Sequence, residues 1–405
     1  MELHYPLILD GATGSQLYAR GCPADYCQEK FSYENPDVVR AFQQEYLDAG
    51  SNVLYTPTFG ANRVKLEENG ILNRVYDYNY RLAKISKDLA GDKAYVAGDI
   101  SPLGKFLAPM GDMTFEEMVD VYKEQAQPLE DAGVDFFIIE TMMTVPEARA
   151  AVLAVKSVSE KPVFVTFSVD GNGNTLNGSD IEAIITIMQG MGVNAFGLNC
   201  SVGPFDMLEA EKRLTPYAQI PLIAKANAGL PKLVDGITVY DTPPSEFARC
   251  VPEFAKAGVM IFGGCCGTKA EHIKAISQSA AECKMVRPAD KYTDKILAAT
   301  EKKVFVLEPD VAVDKVFTCD DDLIDALEEA ENDDSKVIGI EIKNEDELDI
   351  FAEYQYAVTK PLCIVCDDAD LLEQALRLYQ GRALYEGNLP DGVLLPLSKK
   401  YGLVF

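Results

Sequence analysis

Short apolar runs alternate with amphipathic stretches along roughly the first 285 residues of the chain. Eight runs rich in β-branched residues follow one another at 7–10, 52–56, 94–98, 135–140, 163–168, 195–199, 222–226 and 259–263. Continuous apolar runs of this kind are typical of parallel strands that are buried on both faces. The stretches between them, such as 36–49, 114–132, 145–159 and 245–257, have the pattern of helices. Eight strand-then-helix units predict a (β/α)₈ barrel, an α/β fold, and a doubly wound sheet is the weaker alternative because no phosphate-binding glycine fingerprint follows the first run.

The pattern changes after residue 285. Residues 286–302 are polar and charged and are interpreted as a linker. Apolar runs then resume at 303–307, 337–342, 362–365 and 382–385, with helical patterns at 321–331, 345–358 and 371–379. This region is too short for a second barrel, which typically needs about 250 residues. We therefore predict a TIM barrel over residues 1–285, a linker over 286–302 and a smaller α/β domain over 303–405.

Three cysteines stand at the ends of two predicted strands. Cys200 ends the sixth strand, and Cys265 and Cys266 lie between glycines directly after the eighth run. Because the active site of such a barrel lies at the C-terminal ends of its strands, we expect all three thiols on one rim. A single cysteine is most often a core residue, but glycine neighbours and a rim position do not suit core packing. Three thiolates can hold Zn²⁺ and leave one position open, as in catalytic sites, whereas a fourth protein ligand would make the site structural.

Net charge narrows the range of partners. The chain has 64 acidic and 37 basic residues, a formal net charge of −27. A field of this sign repels nucleic acids and anionic membranes, so we expect neither as a partner. No apolar stretch approaches the roughly 20 residues that span a bilayer, and the N-terminus lacks the pattern of a signal peptide. We therefore expect a cytoplasmic location, in which the ten cysteines are reduced.

Four motifs resemble the homocysteine S-methyltransferase family, in the family's order along residues 1–285. They are Asp10-Gly11-Ala12-Thr13-Gly14-Ser15-Gln16-Leu17, Thr56-Pro57-Thr58-Phe59-Gly60-Ala61-Asn62, Gly197-Leu198-Asn199-Cys200 and Gly263-Gly264-Cys265-Cys266-Gly267-Thr268. The resemblance implies a zinc ion held by Cys200, Cys265 and Cys266, with the sulfur of homocysteine as the fourth ligand. It also implies transfer of a methyl group to that sulfur, giving methionine. Zinc would supply the thiolate, since a free thiol with a pKa near 8.5 is mostly protonated at neutral pH.

The same resemblance assigns residues to the amino-acid end of homocysteine. The turn after the first run, from Asp10 to Gly14, offers backbone N–H groups to the carboxylate, and its predicted substrate-binding residues are Asp10, Gly11, Ala12 and Thr13. Glu140 matches the family's acid at the end of the fourth strand, with Asp10 as a second partner for the ammonium. Asn227, after the seventh run, matches a position that can lie near the metal when substrate is absent.

The two histidines, His4 and His272, are not placed for catalysis. His272 falls on the helix after the cysteine motif, where we expect it to face solvent. A nucleophile that is ionised on a metal needs no histidine as a general base.

The motifs do not identify the methyl donor. Betaine users need aromatic faces around a quaternary ammonium, and the chain has no tryptophan, which disfavours betaine. Residues 360–402 resemble about half of a pterin-binding barrel, and we expect no cobalamin-binding domain in this chain. We therefore expect methylcobalamin, carried by a partner corrinoid protein in trans. S-methylmethionine, S-adenosylmethionine and betaine are alternative donors, and a catalytically silent barrel that acts as a binding subunit is an alternative of another class.

Overall fold

A computed structural model describes residues 3–108, 110–234, 237–288 and 291–405. The chain divides into two compact units. The first contains residues 1–177, 194–215 and 219–289, and the second contains residues 178–193, 216–218 and 290–405. None of the described helices combines the length and the apolar composition that crossing a membrane requires.

Eight parallel strands of the first unit form one sheet. The described strands of this unit, in chain order, are β1 (Leu7–Ile8), β2 (Val53–Tyr55), β3 (Tyr95–Ile100), β4 (Phe136–Met142), β5 (Val163–Phe167), β6 (Ala195–Cys200), β7 (Leu222–Ala226), β8 (Lys232–Val234), β9 (Ile237–Val239) and β10 (Val259–Gly264). The sheet order is β1–β10–β7–β6–β5–β4–β3–β2, while β8 and β9 form a separate antiparallel hairpin. The two ends of the sheet meet, because the amide of Asn52 donates to the carbonyl of Ile8 at 2.9 Å. The predicted (β/α)₈ barrel is therefore confirmed, and the open doubly wound alternative is wrong.

Helices alternate with the barrel strands along the chain. They are α1 (Gly14–Ala19), α2 (Gln28–Glu34), α3 (Pro36–Asp48), α4 (Arg63–Glu68), α5 (Val75–Ala90), α6 (Phe115–Asp131), α7 (Val145–Val158), α8 (Ile181–Gly190), α9 (Pro204–Leu214), α10 (Pro244–Lys256) and α11 (Ala270–Ala281). Local sequence sets their starts. Thr114 caps α6 by accepting from the amide of Glu117 at 3.2 Å, and the Glu117 carboxylate accepts from the amide of Thr114 at 2.8 Å.

The inside of the barrel has an apolar layer and, nearer the C-terminal ends of the strands, a polar one. The apolar layer consists of Leu7, Leu9, Val53, Tyr55, Ala97, Phe136, Ile138, Phe164, Ala195, Ile223 and Ile261. Alternate residues of a strand point to the same face. Two or four positions further on, this face carries the residues that we call the polar layer: Asp99, Glu140, Thr166, Asn199, Lys225 and Cys265. The polar layer thus lies at the rim where barrels of this fold place their active sites.

The second unit combines α8 with a hairpin and a four-stranded parallel sheet. The hairpin pairs β11 (Ile296–Ala299) with β12 (Val304–Leu307), and the sheet order is β13 (Lys315–Thr318), β14 (Ile338–Glu341), β15 (Leu362–Val365), β16 (Leu384–Glu386). Its other helices are α12 (Leu323–Glu331), α13 (Glu345–Tyr354), α14 (Ala369–Leu378) and α15 (Asp391–Tyr401), with a 3₁₀ turn at Gln355–Ala357. The sequence pattern misses β13, which is largely exposed, and it misses β11, which lies within the predicted linker.

Candidate metal centre

The three predicted thiols meet at the rim of the barrel. Cys200 is the last residue of β6, and Cys265 and Cys266 follow β10, with β7 between these two strands. Their sulfur atoms all lie within 4.8 Å of one another, and Sγ of Cys200 is 3.9 Å from Sγ of Cys266. We call these three residues the thiol cluster. Cysteine, histidine, aspartate and glutamate side chains can all bind metals, and among the described residues these three cysteines are the group whose ligand atoms lie close enough together to hold an ion.

Glycines around the cysteines are required by close packing. A Cβ atom on Gly264 would lie 2.4 Å from the hydroxyl oxygen of Thr268. Gly267 has a φ of +80°, and its Cβ would lie 2.3 Å from the ring of Tyr240. The Thr268 hydroxyl donates to the carbonyl of Cys265 at 2.7 Å and accepts from the amide of Ala12 at 3.1 Å. The motif therefore fixes the cysteines against the turn that follows β1.

The thiol cluster fits a tetrahedral zinc ion. Zinc–sulfur bonds of about 2.3 Å place neighbouring sulfur atoms about 3.8 Å apart, close to the 3.9 Å between Cys200 and Cys266. Hydrogen bonds from Cys265 and Cys266 lower the pKa of the Cys200 thiol to about 3. The pairing with Cys200 in turn raises the pKa values of Cys265 and Cys266. A divalent cation bound between the three sulfurs would favour loss of the protons that this pairing retains.

The backbone beside the thiol cluster is strained. The angle φ is +60° at Cys200, +61° at Ser201 and +62° at Thr141, a region that costs a residue with a side chain about 1–3 kcal/mol. Asn199 holds this backbone in place. Its Oδ1 accepts from the amide of Thr141 at 2.9 Å, and its Nδ2 donates to the Thr141 hydroxyl at 2.7 Å. The hydroxyls of Ser201 and Ser168 are 2.7 Å apart, which fixes the other side of the turn.

In the turn after β1, two of the four predicted residues, Asp10 and Ala12, already make hydrogen bonds within the protein. Asp10 is buried, and its Oδ2 accepts from the amide of Tyr55 at 2.9 Å, which joins β1 to β2. The amide of Ala12 is also used, since it donates to a threonine hydroxyl. Among the described residues, no hydrogen bond uses the amides of Gly11 and Thr13. Burial raises the pKa of Asp10 to about 7, although Lys225 and the Tyr55 amide oppose this shift.

A buried ion pair lies within the polar layer. Nζ of Lys225 is 3.1 Å from Oε2 of Glu140, and these side chains are 5% and 7% exposed. The same Nζ lies 4.2 Å from the centroid of the Tyr55 ring. Burial acts to lower the pKa of Lys225, but the Glu140 carboxylate raises it well above the ordinary value, so the ammonium stays charged. Lys225 was not among the predicted site residues. Its signal was a charged residue within an apolar run, two positions after the core residue Ile223.

Two further side chains reach the thiol cluster. Asn227 follows β7, and a hydrogen bond from its side chain helps to lower the pKa of Cys200, after the larger effects of the other two thiols. The ring of Tyr240 lies against Gly267, next to Cys266, and burial, followed by the electrostatic effect of the Cys266 sulfur, raises the pKa of its phenol. Asn227 was among the predicted residues. Tyr240 was missed because it follows the β8–β9 hairpin, outside every recognised motif.

His272 does not face solvent, so that prediction is wrong. The side chain is buried, and its Nδ1 accepts from the amide of Lys269 at 3.2 Å at the start of α11. Its Nε2 lies 3.1 Å from the carbonyl of Thr242. The ring therefore caps a helix, and helix spacing alone did not reveal that role.

The fold and the thiol cluster together define a (β/α)₈ barrel with a candidate metal centre at its catalytic rim. A family model described as homocysteine S-methyltransferase matches residues 7–280. The chain belongs to the homocysteine S-methyltransferase family, as its motifs predicted.

Two curated relatives and two solved structures extend this assignment. The chain is 32% identical over 295 residues to a methionine synthase of Mycobacterium leprae, covering 68% of this chain and 24% of that protein. It is 32% identical over 296 residues to a methionine synthase of Mycobacterium tuberculosis, covering 69% and 25%. The matched region thus spans about a quarter of the length of these relatives. The homocysteine methyltransferase MmuM from Escherichia coli has the same fold, with TM-scores of 0.58 for its metallated form (21% identity, covering 67% of this chain and 96% of that one) and 0.57 for its oxidized form (23%, 67% and 95%).

Proposed function

We propose that this protein transfers a methyl group to the thiol of homocysteine, giving methionine, with a zinc ion held by Cys200, Cys265 and Cys266. The observation that carries the proposal is the thiol cluster at the barrel rim of a chain in this family. Zinc at this site supplies a thiolate at neutral pH, because coordination deprotonates a thiol. In this proposal the enzyme works in the cytoplasm, where its thiols stay reduced.

The amino-acid end of homocysteine is proposed to bind between the turn after β1 and the polar layer. The amides of Gly11 and Thr13, which have no partner among the described residues, would donate to its carboxylate. Asp10 and Glu140 are the acids proposed for its ammonium. Oδ1 of Asn227 is buried without a hydrogen-bond partner beside Cys200, so this oxygen is available to the metal before substrate binds.

Methyl transfer needs a deprotonated sulfur whose direction is fixed. The methyl group moves as a cation equivalent: the new S–C bond uses a lone pair of sulfur, and the electron pair of the broken bond stays with the donor. The hydrogen bonds of Asn199 to Thr141, and the contact between Ser201 and Ser168, hold the backbone on both sides of Cys200. This rigidity would hold Cys200 in place as a ligand and so limit the motion of an acceptor sulfur bound beside it.

The proposed donor is a methylated corrinoid protein that docks on the rim. Large apolar side chains, 37–76% exposed, lie after successive barrel strands, and they are Phe59, Phe106, Met110, Met143, Leu176, Phe205, Leu230 and Leu233. Apolar residues repeated around one face are more typical of a macromolecular contact than of a site closed over a small donor. The methionine synthases that the chain resembles are much longer than the matched region, which agrees with a donor carried outside the barrel.

A donor screen with zinc-loaded protein tests this function. Homocysteine is supplied with methylcobalamin, a methylated corrinoid protein, S-methylmethionine, S-adenosylmethionine or betaine, and methionine is measured by mass spectrometry. We expect methionine from the two corrinoid donors and faster transfer from the protein-bound one. Transfer from a sulfonium compound or betaine alone would contradict the proposed donor but keep the acceptor. Fully zinc-loaded protein that makes no methionine from any donor would instead support a silent, binding role.

A further inference from the structure

The polar layer and its border hold more acidic than basic side chains. Asp99 and Glu140 belong to it, and Asp10 borders it at the end of β1, so three buried carboxyl groups face one buried ammonium, that of Lys225. Buried carboxylates are stable only when they are paired or hydrogen-bonded. Burial, and then the neighbouring Glu140 carboxylate, raise the pKa of Asp99 well above its usual range. A second cation, such as the ammonium of an amino-acid substrate, would therefore favour the ionised form of this carboxyl group.

The ammonium of Lys225 already forms an ion pair with the Glu140 carboxylate. Their N–O distance is 3.1 Å, and the ammonium also lies on the face of the Tyr55 ring. Space for this long side chain comes from Gly263, which pairs with Lys225 across β10 and β7 and whose missing Cβ would lie 3.3 Å from Cγ of Lys225. A second ammonium would have to compete with an internal, tethered one for the same carboxylate. Glu140 is thus a poor sole acceptor for a substrate ammonium in this chain.

Asp99 has the opposite properties. Its backbone is fixed on both sides, since its amide donates to the Thr56 hydroxyl at 2.9 Å and its carbonyl accepts from the Thr58 hydroxyl at 2.7 Å. The residue is 4% exposed, and Oδ1 is buried without a hydrogen-bond partner among the described residues. Asp99 lies two positions after the core residue Ala97, so its side chain shares the inner face of the barrel with Glu140 and Lys225. The fold therefore holds an unpaired carboxyl oxygen at the level of the ion pair.

We propose that Asp99 is a further substrate-binding residue, whose carboxylate receives the ammonium of the acceptor amino acid because Lys225 satisfies Glu140. The inference rests on the proposed function, since it takes homocysteine as the acceptor. Asp10 is the natural second partner, because its Oδ1 is also buried without a partner while its Oδ2 stays on the Tyr55 amide. Asp99 then determines specificity for thiols that carry an α-ammonium.

Binding to zinc-loaded protein without any methyl donor tests this role. Homocysteine is compared by calorimetry with 4-mercaptobutyrate, which has the same thiol and carboxylate but no ammonium. In Asp99→Asn we expect Kd for homocysteine to rise about tenfold to a hundredfold, because a charged hydrogen bond is lost. Kd for 4-mercaptobutyrate should stay within about twofold by the same reasoning. Asp88→Asn, which removes the same charge from a side chain that is 62% exposed, is the matched control and should change neither constant.

The substitution should leave the fold intact, since an amide costs less to bury than a carboxylate. Zinc content and circular dichroism check this, and Asp99→Ser, with no carboxylate and less volume, should show the same selective loss. Equal weakening of both thiols, or no change in either, would overturn the role of Asp99. Wild-type protein that holds zinc but does not bind homocysteine would contradict the proposed function rather than this assignment.

Discussion

The thiol cluster and the polar layer lie side by side at one rim, yet the chain builds them in different ways. The thiol cluster comes from two strand ends, and two of its members are adjacent in sequence between glycines. The charged groups of the polar layer come one at a time from β3, β4 and β7, and no two of them are closer than 41 residues along the chain. A metal site can therefore be predicted from a short sequence motif, whereas a charge network built from three separate strands cannot.

The two regions also differ in what stabilises them. In the thiol cluster, pairing with Cys200 raises the pKa values of Cys265 and Cys266, so full ionisation of the three thiols would need a cation from outside. The polar layer carries its own cation, Lys225, and is left with unpaired acid groups. We infer that zinc completes the first region and that the substrate completes the second.

The largest effect is expected from removal of a thiol ligand. Cys265→Ser should abolish tight zinc binding and lower the rate of methyl transfer at least about a thousandfold, because a three-ligand site loses a thiolate that zinc requires. The measurements are zinc content after dialysis and methionine formation. Cys283→Ser, which changes another partly exposed cysteine away from the rim, should retain both properties. A Cys265→Ser protein that keeps one zinc ion per chain would show that the thiol cluster is not the metal site.

The sequence predicted the barrel and the thiol cluster, but it did not predict the ion pair of the polar layer. The eight apolar runs were sufficient for the barrel, because each strand is buried on both faces and its pattern is strong. Cys200, Cys265 and Cys266 came from strand ends and glycine neighbours. The pairing of Lys225 with Glu140 could not be deduced, since it depends on which inner-face residues share one level of a closed barrel. Period-two counting from Ile223 would have placed Lys225 inside, but it would not have named its partner.

Loss of the internal cation should have the next largest effect. Lys225→Met leaves Glu140 buried without its partner, so we expect the free energy of unfolding to fall by about 3–5 kcal/mol at neutral pH. The loss should shrink in acid, where Glu140 can be protonated. Urea denaturation of Lys225→Met and of Lys225→Met/Glu140→Gln measures this, and the double variant should recover most of the stability.

Lys84→Met, which removes a partly exposed lysine from α5, is the control for this comparison and should change stability by less than about 1 kcal/mol. A Lys225→Met protein as stable as this control would mean that the ion pair contributes little. The polar layer would then resemble the thiol cluster in needing an external cation for each carboxylate.

A smaller effect is expected in the pH dependence of stability. Burial raises the pKa of Asp10 in the folded protein to about 7 from an ordinary 3.8. Between these values the folded state binds more protons than the unfolded state, so stability falls as the pH rises through this window. Asp10→Asn removes this contribution, and the decline from pH 5 to pH 7 should become shallower by up to about 2.7 kcal/mol. Urea titrations at the two pH values, with Asp88→Asn as the control, test it, and an unchanged decline would place the Asp10 titration outside this range.

The smallest effect should come from the phenol that touches the thiol cluster. Tyr240 lies beside Cys266 and its ring packs on Gly267, so it would orient a proposed metal ligand without being one. Loss of such a contact weakens metal binding by about tenfold or somewhat more. In Tyr240→Phe we therefore expect zinc affinity, measured by competition with a chromophoric chelator, to fall about tenfold, while Tyr356→Phe at an exposed site leaves it unchanged. Unchanged zinc affinity in Tyr240→Phe would mean that the glycine-flanked backbone alone orients Cys266. The geometry of the thiol cluster would then be set by its local sequence motif, whereas that of the polar layer depends on side chains from separate strands.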